Sequence, residues 1–419
     1  MGNTSNGSGN PRAENPRRES PCEELLGYCL RGEPWPAELL DRALALDEGR
    51  AILSIVVERL GDLFEPRLCR VYDALFADAI RRVCPDLAPR LRKSAGSRLA
   101  PAKTDRVYVL SRVTLGADVA VTSVLLDAVK RRYPEADIVF VGPRKSYELF
   151  EADARVRHQS APYARGGTLI DRLRASAGLW LNDGIVIDPD SRLTQLGLIS
   201  ICDEDRYLFF ESRSYGQEGD DPLPALAARW AEEILGVDGA RPYIAPLPVQ
   251  AEAADITVSL GVGENPSKRL GDEFERELLR ALAETGGSVL VDKGGSAEER
   301  ERVERALADV MHNAAGGING PDESASRAVR SRKPSSVRTH QGAFAPFAAQ
   351  IARSRLYVGY DSAGQHVAAA CGVPLLTVFA GFVSERMFER WRPSGIVIRG
   401  DHPDVLDAVR AAITCTFRR

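Results

Sequence analysis

The stretch that decides the fold runs Tyr357-Val-Gly-Tyr-Asp-Ser-Ala-Gly-Gln-His-Val-Ala-Ala-Ala-Cys-Gly-Val-Pro-Leu-Leu-Thr-Val-Phe379. An apolar run ends at Asp361-Ser362, and small side chains follow from Ala363 to Cys371 before a second apolar run. This order predicts a buried strand, a polar turn, a helix packed closely on a sheet and a second strand. The first N–H groups of such a helix have no partner within it and favour an anion. The turn therefore predicts an anion-binding crevice, although Asp361 could also be a simple helix cap.

The same alternation of apolar runs and helical patterns extends over most of the chain. The predicted strands are 106–111, 137–142, 184–188, 206–210, 255–260 and 288–292, and the predicted helices include 118–133, 272–283 and 298–307. Strands that alternate with helices predict parallel sheets covered on both faces. The Pro-rich segment 241–248 interrupts the alternation. We therefore predict an α/β protein with two Rossmann-like domains, 101–248 and 249–419, that face a central cleft.

The first hundred residues differ from the rest. Residues 1–20 are polar and predict a disordered tail. Apolar residues spaced by three and four then predict an all-helical extension over 21–100. We favour a packing or dimerisation role for it over a substrate-binding one, which leaves room for a homo-oligomer. The Gly-, Ser- and Arg-rich segment 312–342 predicts an insertion in the second domain.

Composition and charge restrict the class of protein. The chain has 419 residues, 44% hydrophobic and 27% charged, as in ordinary globular proteins. The net charge of -4 argues against a nucleic-acid partner, which would require a basic excess. The seven cysteines form no Cys-x-x-Cys pair, which favours reduced thiols in the cytoplasm and argues against zinc. No apolar run is long enough to span a bilayer, so only peripheral membrane contact stays open.

The opening stretch also resembles the C-terminal signature of glycosyltransferase family nine, the ADP-heptose:lipopolysaccharide heptosyltransferases. The matching residues are Asp361, Ser362, His366, Ala368 to Ala370, Gly372 and Pro374. The family's Gly after Ser or Thr is Ala363 here, with Gly364 one place later. The resemblance covers about residue 104 to the C-terminus. It implies the GT-B architecture and an inverting, metal-independent transfer from a nucleotide sugar, ADP-heptose in this family, to a lipopolysaccharide-type glycan or lipid-linked acceptor, without a cofactor.

The turn after the first strand contains the candidate base. Leu115-Gly-Ala-Asp118-Val resembles the family's Gly-Asp-Val turn with Ala117 inserted, and the family's general base falls on Asp118. A base is needed because the acceptor hydroxyl loses its proton as it attacks the sugar. The residues alone also allow Asp118 to be only the N-cap of the following helix.

The resemblance assigns the donor site to residues of the second domain. They are Lys268 at the phosphates, Glu298 at the ribose with Glu299 as second choice, and Asp361, Ser362, Ala363, Gly364 and His366 around the diphosphate and sugar. Lys268 follows the loop Gly261-Val-Gly263, which comes after a strand as a phosphate loop does. On the residues alone, Glu298 also fits a first-turn acid of a helix, and His366 a packed side chain.

The resemblance places the acceptor near Asp188 and Arg192. Asp188-Pro-Asp190 has the spacing of a metal-binding Asp-x-Asp pair. Because no further cluster of oxygen ligands accompanies it, we predict no metal.

Two other functions remain compatible with the sequence. Ala117 and Ala363 stand at motif positions, which would suit a nucleotide-binding or scaffold protein on the same GT-B frame without transferase activity. A two-lobed sugar epimerase would instead convert a nucleotide sugar with no acceptor present.

Overall fold

The computed structural model describes residues 19–92, 99–161, 163, 166–217, 219–263, 265–316 and 336–417. The predicted tail lies outside this part of the chain except for its last two residues. One of them, Ser20, begins the first helix. Its hydroxyl accepts a hydrogen bond from the Glu23 N–H at 3.2 Å, and the Glu23 carboxylate accepts one from the Ser20 N–H at 2.7 Å. This reciprocal capping box satisfies two of the free amides at the helix start.

Helices and helical turns make up most of the described part of the N-terminal extension. It consists of α1 (Pro21–Arg31), α2 (Ala37–Ala45), a 3₁₀ turn (Leu46–Gly49), a π-helical segment (Ile52–Val57), α3 (Glu58–Asp62), α4 (Pro66–Val83) and a second 3₁₀ turn (Pro85–Arg90). Its buried residues, such as Leu25 and Leu75, share one core with Leu169 and Ile199 of the following domain. The Tyr72 hydroxyl also donates to the Gln195 carbonyl at 2.9 Å. The extension therefore packs on the first α/β lobe and is not a separate globule.

The first lobe contains a five-stranded parallel sheet in the order β3-β2-β1-β4-β5. Its strands are β1 (Arg106–Leu110), β2 (Asp137–Gly142), β3 (Val156–Ser160), β4 (Ile185–Asp188) and β5 (Tyr207–Phe209). Its helices are α5 (Leu115–Ala117), a π-helical segment (Asp118–Thr122), α6 (Ser123–Arg132), α7 (Arg144–Tyr147), α8 (Leu169–Ala177) and α9 (Leu223–Leu235), with 3₁₀ turns at Arg192–Thr194 and Glu204–Arg206.

The second lobe contains a six-stranded parallel sheet in the order β11-β10-β9-β6-β7-β8. Its strands are β6 (Ile256–Ser259), β7 (Val289–Asp292), β8 (Val337–His340), β9 (Leu356–Tyr360), β10 (Leu375–Phe379) and β11 (Ile396–Arg399). Its helices are α10 (Asp272–Ala283), α11 (Ala297–Gly316), α12 (Phe344–Ile351), α13 (Ala363–Ala370), α14 (Glu385–Trp391) and α15 (Val405–Phe417), with a 3₁₀ turn at Pro266–Lys268.

Two parallel α/β lobes and a helical extension confirm the predicted fold class. The Pro-rich segment 241–248 joins the lobes without a helix or strand. The predicted insertion at 312–342 needs correction, because α11 continues to Gly316 and β8 occupies Val337–His340. Of this predicted insertion, residues 317–335 lie outside the described part of the chain. No helix in the described part of the chain is both long and apolar enough to cross a membrane.

Candidate active site

The two lobes touch where α5 of the first lobe meets the start of α13 in the second. A β-carbon placed on Gly116 would lie 3.0 Å from Cδ2 of His366 and 3.3 Å from Cα of Ala363. A side chain at position 116 would therefore require His366 or the start of α13 to move by a few tenths of an ångström. The contact brings together the loops that follow the central strands β1 and β9. In parallel α/β sheets, this is the edge at which ligands bind.

The start of α13 is open to an anion. Ser362 precedes the helix in an extended conformation, and no described side chain caps the first turn with a hydrogen bond. The Lys268 ammonium lies beside this turn, 2.5 Å from Oδ2 and 3.3 Å from the carbonyl oxygen of Asp361. Uncapped amides, the positive end of the helix dipole and an ammonium group together form a site for phosphate oxygens.

Asp361 is the residue that holds Lys268 in place. Its carboxylate is buried and also accepts a hydrogen bond from the Gln365 side-chain amide. The Gln365 carbonyl oxygen in turn accepts from the Thr377 hydroxyl at 2.9 Å. Asp361 thus orients the cation beside the predicted phosphate site.

The one-place shift of glycine in the motif has a packing reason. A β-carbon at Gly364 would lie 2.5 Å from Cζ of Tyr357, whose ring lies beneath α13. Glycine is therefore required at 364 for the helix to reach the sheet over this tyrosine. Ala363, one residue earlier, faces Gly116 instead, so the first-lobe glycine provides the space there.

His366 lies in the contact between the lobes. It is buried, its Nε2 is 3.3 Å from the Gln365 amide nitrogen, and its ring meets Trp391 edge-on at 5.7 Å between centroids. Burial lowers the pKa of His366 to about 4. The ring is therefore neutral at physiological pH and brings no positive charge to a bound phosphate.

This depressed pKa predicts an acid-sensitive stability. An unfolded chain binds a proton at His366 near pH 6.5, whereas the folded chain does so only near pH 4. The free energy of unfolding should therefore fall as the pH drops from 6.5 towards 4, by up to roughly 3 kcal/mol from this residue. Urea unfolding of wild type and His366→Gln at several pH values measures the contribution. His402→Gln, at an exposed position, is the control; equal slopes in all three proteins would contradict the prediction.

Asp118 does not reach the cleft in this arrangement. Its carboxylate is fully buried and accepts hydrogen bonds from the Ser111 hydroxyl at 2.7 Å, the Arg112 N–H at 2.7 Å and the Thr122 hydroxyl at 2.9 Å. Burial nevertheless raises its pKa. Asp118 is also not the N-cap, because α5 begins after Thr114. It fixes the loop after β1, and its role as base stays a prediction.

The acidic residue that faces the loop after β6 is Glu299 and not Glu298. Glu298 is exposed, whereas the Glu299 carboxylate accepts from the Gly295 and Ser296 N–H groups at 3.0 and 3.2 Å. A β-carbon at Gly261 would lie 3.4 Å from the same carboxylate. Adjacent helix residues point about 100° apart, so only one of the two can face the loop after β6.

Neither carboxylate of the Asp188-Pro-Asp190 segment is available to a ligand. Asp188 is buried and accepts from the Ser191 N–H at 2.6 Å and the Tyr207 hydroxyl at 2.5 Å, and burial raises its pKa. Asp190 forms a buried ion pair with Arg213 at 2.9 Å. Arg192 is different, because it is partly exposed and reaches Glu58 of the extension at 3.2 Å. Within the described residues, no three His, Cys, Asp or Glu side chains converge as a metal site would require.

Four further residues meet at the lobe contact. The Phe64 ring of the extension meets Trp391 edge-on at 6.3 Å, and the Arg112 guanidinium lies 6.0 Å from the Trp391 ring. Arg386 also donates to the Phe64 carbonyl at 3.1 Å. The extension therefore reaches the junction of the lobes.

Comparison with known proteins agrees with this arrangement. No protein-family model matches the sequence, and no curated protein is similar to it. The structure of E. coli heptosyltransferase WaaC with ADP matches with a TM-score of 0.52 and 17% identity, over 74% of this chain and 99% of that one. A glycosyl transferase family 9 protein from Veillonella parvula DSM 2008 matches with a TM-score of 0.51 and 16% identity, over 77% of this chain and 99% of that one.

The chain has a heptosyltransferase-like fold. This confirms the GT-B architecture that the sequence resemblance implied. The two heptosyltransferase-like structures match over almost their entire lengths, and about a quarter of this chain has no counterpart in them. That share is the size of the tail and the helical extension together.

Proposed function

We propose that the protein is an inverting, metal-independent glycosyltransferase that moves a sugar from a nucleoside-diphosphate sugar to a hydroxyl acceptor. One observation carries the proposal: Lys268 stands beside the uncapped start of α13, at the point where the lobes meet. The heptosyltransferase-like fold supports it.

The proposed chemistry follows from charge. When the bond from the anomeric carbon to the donor oxygen breaks, the departing diphosphate carries the developing negative charge. The Lys268 ammonium and the amides of Ser362, Ala363 and Gly364 would offset that charge without a metal. Glu299 would accept hydrogen bonds from the ribose hydroxyls, which is a carboxylate's usual interaction with a diol. Asp118 would hold the loop of Ser111 and Arg112 against the cleft.

The donor and acceptor are proposed from the resemblance. ADP-heptose is the proposed donor, and a lipopolysaccharide-type glycan or another lipid-linked hydroxyl is the proposed acceptor, with the reaction in the cytoplasm. Arg192 and the extension flank the side from which the acceptor would enter. About a quarter of this chain has no counterpart in the matched structures, a share as large as the tail and the extension together, so the acceptor is where this protein should differ most from them.

A screen of sugar nucleotides tests the proposal. The wild-type protein is incubated with ADP-, UDP- and GDP-sugars, and the released nucleoside diphosphate is measured with and without glycan acceptors, alongside calorimetric titration of ADP, UDP and GDP. We expect ADP to bind and an ADP-sugar to be consumed. Binding without any release would instead support a nucleotide-binding scaffold, and conversion of the sugar with no release an epimerase.

A further inference from the structure

The end of helix α3 in the extension is held between the two lobes. Near its start, Glu58 pairs with Arg192 of the first lobe at 3.2 Å. Just beyond its end, the Phe64 carbonyl accepts from Arg386 of the second lobe at 3.1 Å, and the Phe64 ring meets Trp391. Contacts to both lobes within seven residues place the last turn of α3 at the mouth of the cleft.

The last residue of α3 is Asp62, which lies between these contacts. Its side chain is partly exposed, and within the described residues its carboxylate has no hydrogen-bond or ion-pair partner. The charges acting on it come from Arg192 of the first lobe, Lys268 of the second lobe, and Glu58 and Arg59 of its own helix. Asp62 is thus a partly exposed residue with an unpaired carboxylate, and the Lys268 cation of the predicted phosphate site is one of the charges that act on it.

We propose that Asp62 is the catalytic base of the transfer; this rests on the proposed function. The acceptor O–H proton passes to the Asp62 carboxylate while the acceptor oxygen bonds to the anomeric carbon. The bond from that carbon to the diphosphate oxygen breaks, and its electron pair leaves with the nucleoside diphosphate. Protonated Asp62 then releases its proton to water, which restores the starting state.

Asp62 suits this role better than Asp118 on three counts. Asp118 is fully buried, whereas Asp62 is partly exposed. Asp118 accepts three hydrogen bonds that proton transfer would disturb, whereas Asp62 has none to lose. Burial also raises the pKa of Asp62 to about 6. A base with a pKa just below the working pH is largely ionised and still a good proton acceptor.

The first test compares Asp62→Asn with two controls in the release of nucleoside diphosphate, with water or a glycan as acceptor. Asp62→Asn should lower kcat by about 100- to 10,000-fold with the donor KM nearly unchanged, and should abolish the acid limb of the pH profile near pH 6. Asp118→Asn should keep that limb. Asp73→Asn is the matched control. Burial also raises the pKa of Asp73 to about 6, but the main charges acting on it are those of Arg213, Glu211 and Asp190 in the first lobe.

The second test uses ADP binding and needs no acceptor. Ionised Asp62 near Lys268 repels a diphosphate, so Asp62→Asn should bind ADP several-fold more tightly than wild type at pH 7.5 and equally at pH 5. Because ADP itself titrates equally in both experiments, the ratio of the dissociation constants of wild type and Asp62→Asn at each pH reports only on Asp62. The ratio for Asp73→Asn should stay constant with pH.

The two tests distinguish a failure of the proposed role of Asp62 from a failure of the proposed function. Turnover of Asp62→Asn at the wild-type rate, or an affinity ratio that does not change with pH, overturns the role of Asp62 alone. If the wild-type protein releases no nucleoside diphosphate from any sugar nucleotide, the proposed function fails, and the catalytic role of Asp62 fails with it.

Discussion

Replacing Lys268 by methionine is expected to lower kcat/KM for the donor by about 100-fold, the equivalent of roughly 3 kcal/mol for lost hydrogen bonds to a charged group. The ammonium stands 2.5 Å from Asp361 beside the open start of α13, so its loss removes the cation from the proposed phosphate site. It also leaves the buried Asp361 carboxylate without its ion-pair partner, which adds repulsion towards a diphosphate. Calorimetry with ADP and the initial rate of nucleoside diphosphate release measure the two effects.

Lys293→Met is a closely matched control for this change. The Lys293 side chain is 18% exposed against 19% for Lys268, and it too pairs with a carboxylate, Glu304, at 2.7 Å. It lies after β7 and outside the proposed phosphate site, so its replacement should leave ADP affinity within about threefold. In the double variant Lys268→Met/Asp361→Asn, the repulsion from Asp361 disappears but the cation is still missing, and affinity should recover only in part. Wild-type affinity in Lys268→Met would remove the lysine from the donor site.

Local pattern was enough to predict eight of the eleven described strands of the lobes. Helix α10 begins and ends at the predicted residues, because the spacing of its apolar positions and the acidic first turn both act within one helix. The strand, turn and helix at 356–370 were predicted for the same reason, and with them the open helix start. Strand β8 was missed because its four residues, Val-Arg-Thr-His, do not form an apolar run.

The lobe contact could not be predicted from local pattern. Phe64, Arg112 and Trp391 come from the extension and the two lobes, and only the packing of all three places them together. Which of Glu298 and Glu299 faces the loop after β6 depends on the residue at which α11 begins. A start one residue earlier or later would turn the other side chain towards that loop. The sequence placed Asp118 in the segment that follows β1. It could not show that the Asp118 carboxylate accepts hydrogen bonds from Ser111, Arg112 and Thr122.

Replacing Arg213 by methionine is expected to lower the free energy of unfolding by about 3–5 kcal/mol, because breaking a buried ion pair leaves an uncompensated charge. The Asp190 side chain is 0% exposed and that of Arg213 3%, so water cannot replace the lost partner. The Arg213 guanidinium also lies over the Tyr72 ring of helix α4, 4.9 Å from its centroid. The change should therefore loosen the extension as well as the first lobe. Urea unfolding followed by circular dichroism measures the loss.

Two variants show whether the buried pair is the cause. Arg392→Met removes a solvent-exposed partner of Glu389 and should change the free energy of unfolding by less than about 1 kcal/mol. Arg213→Met/Asp190→Asn removes both charges and should recover most of the stability lost in the single variant. Equal free energies of unfolding for the single and double variants would show that an unpaired Asp190 is not the cause of the lost stability. Because the extension carries Asp62, Arg213→Met should also reduce kcat more than the affinity for ADP, even at temperatures at which the protein stays folded.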